Sequence, residues 1–128
     1  MMITIDSLVL YVSDIKLSEA FYRQLFQSEA AQLSPTFVSM KCAHNVSIAL
    51  KQNTALTPPS CITGGGSEIS IMQPSQEAFL ALYDTWKLLD IEFAQVPQAE
   101  VYGASFVVLD PDRHRIRVFT NDKVWSYF

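Results

Sequence analysis

The sequence predicts an α+β fold in which one β-α-β-β-β module occurs twice. Each half of the chain opens with a strand-like segment, continues with apolar residues at helical spacing, and ends in further alternating segments. A stretch rich in proline and glycine separates the halves. A half of about 55 residues buries too little surface to be stable on its own. We therefore expect one domain over residues 1–128, with helices on one side of curled sheets and a cup on the other.

The first module is predicted over residues 3–51. Ile3 to Val12 alternate loosely and include several β-branched residues, which is typical of a strand, and Ser13-Asp14 supply a cap for a following helix. The apolar positions of this helix are Leu17, Ala20, Phe21 and Leu25. The module thus begins with a strand and a helix.

Two further strands complete the first module. Phe37 to Met40 and Val46 to Lys51 are the predicted strands, and a turn near Ala43-His44-Asn45 joins them. Residues 52–66 follow as a linker loop, because they contain Pro58-Pro59 and three consecutive glycines.

The second module, residues 67–121, repeats this plan. Glu68 to Met72 form a predicted strand, and Pro74-Ser75 open a helix. The apolar residues of that helix are Phe79, Leu82, Tyr83, Trp86 and Leu89. We expect the helical aromatic residues of both modules to pack in the core.

Three strands close the second module, near Ile91 to Gln95, Ser105 to Leu109 and Arg115 to Phe119. Asp110 to Arg113 form a tight turn between the last two. Residues 122–128 form an aromatic tail, which we expect to cover apolar surface on its own chain or on a partner chain.

Composition excludes several classes of function. A net charge of −4 argues against a nucleic-acid-binding protein, because phosphate neutralisation needs a clustered basic face. No apolar run reaches the roughly 18 to 20 residues that cross a bilayer, and no signal segment opens the chain, so we expect no membrane partner and a cytoplasmic location. Cys42 and Cys61 lack the spacing of a zinc site and are predicted to be reduced thiols.

The repeated plan and three segments resemble the vicinal oxygen chelate superfamily, which includes glyoxalase I, bleomycin resistance proteins and extradiol dioxygenases. The segments are Ser7-Leu-Val-Leu-Tyr-Val-Ser-Asp14, Phe21-Tyr22 and Asp110-Pro-Asp-Arg-His-Arg-Ile-Arg117. The resemblance extends from about Ile3 to Thr120. It implies the glyoxalase/bleomycin-resistance fold, and we expect the modules to be paired in a homodimer.

In the metal-dependent members, the resemblance implies four ligand positions, which here are Ser7, Ala49, Glu68 (or Ser67) and Arg117. Alanine has no donor atom, and a guanidinium repels a divalent cation. His44 and His114 lie in predicted turns, and we expect surface positions for both. We therefore predict no metal and no cofactor, which argues against glyoxalase-type isomerisation and against ring-cleaving dioxygenation.

If the ligand positions face the cup, the two-residue period of a strand assigns their neighbours. The cup face then carries Ser7, Val9, Tyr11, Ser47, Ala49, Lys51, Glu68, Ser70, Met72, Arg115, Arg117 and Phe119. The opposite face carries nine apolar residues, namely Leu8, Leu10, Val12, Ile48, Leu50, Ile69, Ile71, Ile116 and Val118. This pattern leaves open the facing of Phe37, Met40 and Tyr102.

A cup of this composition suits a planar or amphipathic small molecule. The candidate ligand-binding residues are Ser7, Val9, Tyr11, Ala49, Glu68, Ser70, Arg115, Arg117 and Phe119. The leading hypothesis is a non-enzymatic, metal-free protein that binds a small aromatic or amphipathic compound, as the antibiotic-resistance branch of the superfamily does. An ion pair between Glu68 and Arg117 that replaces the metal as a tie between strands is an equal alternative to ligand binding at these two residues.

Two enzymatic hypotheses stand beside it. In the first, Glu68 is a catalytic base and Arg117 stabilises an enolate or a carboxylate. In the second, the chain is a metal-dependent lyase or dioxygenase whose ligands are displaced from the usual positions.

Overall fold

The structure is a computed structural model that describes residues 2–42, 44 and 46–123. The chain divides between Gly64 and Gly65 into two compact units, each with its own sheet and helix. The two units have the same order of elements and the same order of strands in the sheet. The predicted α+β fold with a repeated β-α-β-β-β plan is confirmed.

The first unit consists of β1 (Ser7–Val12), α1 (Ile15–Phe26), β2 (Ala30–Ser34), β3 (Phe37–Met40) and β4 (Ser47–Gln52). Its sheet has the order β1-β4-β3-β2, and only the β1–β4 pair is parallel. A short 3-10 helix over Asn53–Ala55 follows β4, inside the predicted linker.

The second unit consists of β5 (Glu68–Gln73), α2 (Gln76–Lys87), β6 (Glu92–Glu100), β7 (Gly103–Leu109) and β8 (Arg115–Thr120). Its sheet has the order β5-β8-β7-β6, with the β5–β8 pair parallel and the other pairs antiparallel. In both units, therefore, the first strand lies beside the last.

Both helices begin with a side-chain cap at the residue that the sequence predicts. Asp14 Oδ1 accepts hydrogen bonds from the backbone N–H groups of Lys16 and Leu17, and Ser75 Oγ accepts one from Ala78. Helix α2 ends at Lys87. The prediction that Leu89 belongs to this helix is therefore wrong.

Aromatic side chains form the core of the second unit. The Phe106 ring on β7 lies 5.3 Å from that of Phe79, 5.5 Å from Tyr83 and 5.7 Å from Trp86, measured between ring centroids. In the first unit, Tyr22 on α1 is fully buried. These contacts confirm that Tyr22, Phe79 and Trp86 are core residues.

The sequence prediction differs from the structure at three strands. It omits β2, whose residues are mostly exposed and lack a clear apolar alternation. It begins β1 at Ile3 rather than Ser7, because Ile3 and Ile5 continue the β-branched pattern although both are exposed. It ends β6 near Gln95, whereas the strand continues past Pro97 to Glu100. Proline has no N–H to donate, and β6 tolerates it because β6 is an edge strand.

Part of the predicted aromatic tail, residues 124–128, lies outside the described residues, and so do two residues of the predicted turn, Ala43 and Asn45. No helix within the described residues combines the length and the apolar character that a membrane crossing requires.

Candidate functional site

Each sheet has one face that packs against the helix of its unit and one face that we call the open face. On β8, Ile116, Val118 and Thr120 are buried, whereas Arg115, Arg117 and Phe119 alternate with them and are exposed or half-buried. Val118 lies beside Phe106, which contacts the aromatic residues of α2. The open face of the second unit therefore carries the predicted site residues Glu68, Ser70, Arg115, Arg117 and Phe119.

The open face of the first unit follows the same rule. Strand register places Ser7, Val9 and Tyr11 of β1 beside Ser47, Ala49 and Lys51 of β4. The alternate residues Leu10, Val12, Ile48 and Leu50 are buried, whereas Leu8, which lies beside Ile48 on the same face, is 42% exposed. Ala49 is also buried, because β4 lies between β1 and β3 in the sheet.

An ion pair joins Arg117 to Glu68 on the open face of the second unit. Arg117 Nε donates a hydrogen bond to Glu68 Oε1 at 3.0 Å, and Arg117 Nη1 donates one to Ser105 Oγ at 3.0 Å. The side chains of Arg117 and Glu68 are 22% and 35% exposed. Two of the five guanidinium N–H groups are thus engaged by residues that the structure describes.

The hydroxyl of Ser105 is the buried centre of this network. It donates to Glu100 Oε1 at 3.1 Å and accepts from Gln95 Nε2 at 3.1 Å as well as from Arg117. A hydroxyl has one donor and two acceptor positions, so all three are used. We refer to Glu68, Gln95, Glu100, Ser105 and Arg117 as the Arg117 network. Gln95, Glu100 and Ser105 are not among the predicted site residues, and the one local signal was a serine inside an apolar strand.

The charges of this network act on Arg117. Partial burial lowers the pKa of Arg117, but the hydrogen bond and negative charge of Glu68, with contributions from Tyr102 and Glu100, outweigh that effect. The pKa therefore lies above its ordinary value, and the guanidinium stays charged.

Aromatic surface lies next to the Arg117 network. The Tyr102 and Phe119 rings meet edge to face with centroids 6.0 Å apart, and Tyr102 is 39% exposed. Gly103, next to Tyr102, has a φ of 150°, and a Cβ at this position would collide with the carbonyl oxygen of Thr120, so glycine allows β7 to begin this close to Thr120. Tyr102 thus lies beside the open face, whereas Met40, which pairs with Ile48, is buried on the helix side.

A second aromatic and cationic cluster lies on the open face of the first unit. Lys51 lies between Tyr11 on β1 and Phe37 on β3 in the strand register. Its Nζ donates to Thr36 Oγ1 at 3.2 Å and is 5.7 Å from the centre of the Phe37 ring. Phe37, whose facing the sequence left open, therefore belongs to this face.

The residues at the implied metal-ligand positions do not fit a metal ion. Ala49 has no donor atom, and Glu68 already accepts a hydrogen bond from Arg117, whose charge would repel a cation at that carboxylate. Over residues 2–42, 44 and 46–123, no three His, Cys, Asp or Glu side chains are grouped so that they could hold a metal.

The Asp110-Pro111 turn has a structural function that was not predicted from the sequence. Asp110 Oδ1 accepts from the backbone N–H groups of Asp112 and His114, and Asp110 Oδ2 lies 2.7 Å from His114 Nδ1. Both side chains are buried, so the predicted surface position of His114 is wrong, whereas His44 is exposed as predicted. This turn sets the start of β8 and hence the positions of Arg115 and Arg117.

Comparison with known proteins connects this arrangement to a family. The family model for the Glyoxalase/Bleomycin resistance protein/Dioxygenase superfamily matches residues 4–118. The phenazine antibiotic resistance protein EhpR of Enterobacter agglomerans is 31% identical over 119 residues, which cover 91% of each protein.

Solved structures agree with the fold. Protein ATC0852 from Agrobacterium tumefaciens superposes with a TM-score of 0.81 at 28% identity, covering 93% of this chain and 98% of that chain. A glyoxalase/bleomycin resistance protein/dioxygenase family enzyme from Burkholderia phytofirmans has a TM-score of 0.78 at 21% identity, covering 92% of this chain and 98% of that chain. The second similarity concerns the fold alone.

Proposed function

The chain belongs to the glyoxalase/bleomycin resistance protein/dioxygenase superfamily, and from this premise we propose that it is a metal-free protein that binds a small planar aromatic or amphipathic molecule. The observation that carries the proposal is the 3.0 Å contact between Arg117 and Glu68, at two positions where the resemblance implies metal ligands. The sequestration of a toxic compound, rather than metal-assisted chemistry, is the function that suits this replacement.

The ion pair supports the absence of a metal for an electrostatic reason. A guanidinium does not lose its proton, so a cation at Glu68 would have to displace a permanent positive charge and break the hydrogen bond to it. Ser105 also holds Arg117 in place. Displacement would therefore disturb the whole Arg117 network.

The aromatic residues of the open faces support the class of ligand. Phe119 and Tyr102 in the second unit, and Tyr11 and Phe37 in the first, are exposed or half-buried beside polar groups. Exposed rings offer stacking surface to a planar compound, and the neighbouring polar groups orient it. We assign ligand contacts to the predicted residues of each open face, namely Ser7, Val9, Tyr11 and Ala49 in the first unit and Glu68, Ser70, Arg115, Arg117 and Phe119 in the second.

The relative EhpR is a phenazine antibiotic resistance protein, and this supports a tricyclic aromatic compound as the first ligand to test. We propose that the chain protects its host by holding such a compound. Tight binding without turnover is sufficient for this purpose, provided that the protein is abundant relative to the compound.

Titration of the purified protein with phenazine, followed by calorimetry and by ligand absorbance, tests the proposal. We expect saturable binding that is unchanged by EDTA. Phe119→Ala should weaken binding by about 2- to 12-fold, which corresponds to an aromatic contact of ~0.5–1.5 kcal/mol. Leu88→Ala, which changes an exposed residue just after α2, is the matched control. A wild-type protein that binds neither phenazine nor a substituted phenazine would refute the proposal.

The acid-base hypothesis receives support from the same contact, since it requires Glu68 and Arg117 to be within reach of one substrate. Chromatography of the ligand recovered after incubation separates the two functions. A binding protein returns the compound unchanged. If a product forms, Glu68→Gln should abolish its formation while binding stays within a few-fold of wild type.

We also propose that the chain acts as a homodimer in the cytoplasm. Ile3, Ile5 and Leu8 are 85%, 69% and 42% exposed, and such apolar groups favour burial against another chain. Cys42 and Cys61 are both free thiols, which suits a reducing compartment. Light scattering on a sizing column tests the dimer, and fractionation of host cells tests the location.

A further inference from the structure

Lys51 is a positive charge without a counter-charge on the open face of the first unit. In the strand register this face consists of Ser7, Val9, Tyr11, Ala31, Ser34, Phe37, Ser39, Ser47, Ala49 and Lys51, and none of these residues is acidic. Lys51 has no salt bridge with any described residue, and its one hydrogen bond goes to the neutral hydroxyl of Thr36 at 3.2 Å. Two of the three ammonium N–H groups therefore remain for another acceptor.

Arg117 on the open face of the second unit is in the opposite situation. Glu68 contacts its guanidinium at 3.0 Å, and Glu100 is linked to it through the hydroxyl of Ser105. An anionic ligand at Arg117 would have to compete with these two carboxylates. The same ligand at Lys51 meets no such competitor among the described residues.

The neighbours of Lys51 indicate which kind of anionic ligand would bind there. Tyr11 and Phe37 lie on either side of Lys51 in the strand register, and the ammonium is 5.7 Å from the Phe37 ring centre. Tyr11 is 38% exposed, and Phe37 and Lys51 are half-buried. Partial burial reduces the screening of the charge by solvent, so an ion at this point is held more strongly than at a free surface lysine.

We propose that Lys51 determines specificity by receiving the carboxylate of an aromatic carboxylic acid whose ring lies against Tyr11 or Phe37. The inference rests on the proposed function and narrows its ligand class from planar aromatic compounds to those with a carboxylate on or beside the ring. Lys51 contacts the ligand directly but takes no part in a reaction.

Two probes that differ by one carboxylate test this inference. Phenazine and phenazine-1-carboxylate are titrated against wild type, Lys51→Gln, Lys51→Arg and the control Lys16→Gln, which removes the same charge from the exposed surface of α1. We expect wild type to prefer the carboxylate by about tenfold, which is ~1.4 kcal/mol. Lys51→Gln should abolish the preference, whereas Lys51→Arg and Lys16→Gln should keep it.

The outcomes separate the inference from the proposed function. A preference that survives in Lys51→Gln, or a wild type that binds both probes equally, overturns the role of Lys51 and leaves the proposed function standing. If wild type binds neither probe, the proposed function falls and the inference with it. A preference that declines with added salt in wild type and in Lys51→Arg supports a charge interaction.

Discussion

Arg117 on β8 reaches diagonally to Glu68 on β5, with 3.0 Å between Nε and Oε1. In the parallel ladder Glu68 lies beside Arg115, and Arg117 lies beside Ser70, so the ion pair joins residues that are not direct partners. Ser105 on β7 accepts a second hydrogen bond, from Nη1 of Arg117 at 3.0 Å. The contact therefore depends on three strands, β5, β8 and β7, and not on one pair of charges.

Replacement of Arg117 should destabilise the second unit. We expect Arg117→Met to lower the free energy of unfolding by ~1–2 kcal/mol, because Glu68 and Ser105 lose a charged donor while solvent screens part of the loss at the half-exposed carboxylate. Arg115→Met is the matched control on the same strand. Arg115 is exposed, and we expect a change within about 0.5 kcal/mol. Urea unfolding followed by circular dichroism measures both, and equal losses would contradict a special role for Arg117.

The hydroxyl of Ser105 should matter more than that of Ser70. Ser105→Ala leaves a half-buried side-chain amide, a carboxylate and a guanidinium each without one partner, so we expect a loss of ~1–3 kcal/mol. Ser70 is exposed on the neighbouring strand, and Ser70→Ala should change stability by less than about 0.5 kcal/mol. Thermal unfolding of the two variants at one scan rate provides the comparison.

Local patterns predict most of the fold. The caps at Asp14 and Ser75 and the alternation on β8 depend on residues close together in sequence, and all are present in the structure. Strand β2 escapes prediction because Ala30–Ser34 are largely exposed, so no buried face imposes a two-residue period on them. This strand is stabilised by its pairing with β3, which the local sequence of β2 does not predict.

The site was less accessible to sequence reasoning. The face of Glu68 and Arg117 follows from the two-residue period, and their pairing was one of two alternatives. Ser105 contacts Arg117, and Glu100 contacts Ser105, only because β7 pairs with both β8 and β6, which is a matter of register between strands. The burial of His114 depends on its contact with Asp110. The turn consists mainly of polar residues, so its sequence did not indicate that His114 is buried.

The two thiols should differ in reactivity and in its dependence on pH. Burial raises the pKa of Cys42, and this outweighs the hydrogen bonds from the backbone of Cys42 and Ile48. Less thiolate is therefore present at a given pH, and iodoacetamide should modify the exposed Cys61 first. Mass spectrometry of the alkylated protein over a pH series measures the order, and the rates should converge in concentrated urea.

The raised pKa of Cys42 also predicts how the stability of the protein changes with pH. Because the pKa of Cys42 is higher in the folded chain, the folded state keeps its proton while the unfolded thiol ionises. The contribution of Cys42 is thus complete below the ordinary pKa of a thiol and is lost as pH rises through the raised value. Cys42→Ser should remove this alkaline decline, whereas Cys61→Ser should leave it unchanged.

Gly103 should be the least replaceable of the glycines at which substitution can be compared. An added Cβ would collide with the carbonyl oxygen of Thr120, and the φ of 150° is one that residues with side chains rarely adopt. We expect Gly103→Ala to cost more than ~3 kcal/mol, because neither the backbone carbonyl nor the β7–β8 pairing can move without breaking the ladder.

Gly66→Ala is the matched control, since a Cβ there meets no atom within 4 Å. It should change the free energy of unfolding by less than about 1 kcal/mol. Where the backbone accepts alanine without strain, the free energy of unfolding should increase. Because Gly103 is adjacent to Tyr102, whose ring contacts Phe119, a Gly103→Ala protein that still folds should bind phenazine more weakly than Gly66→Ala. Equal stability and equal binding of the two variants would show that the approach of β7 to Thr120 is not required at this end of the sheet.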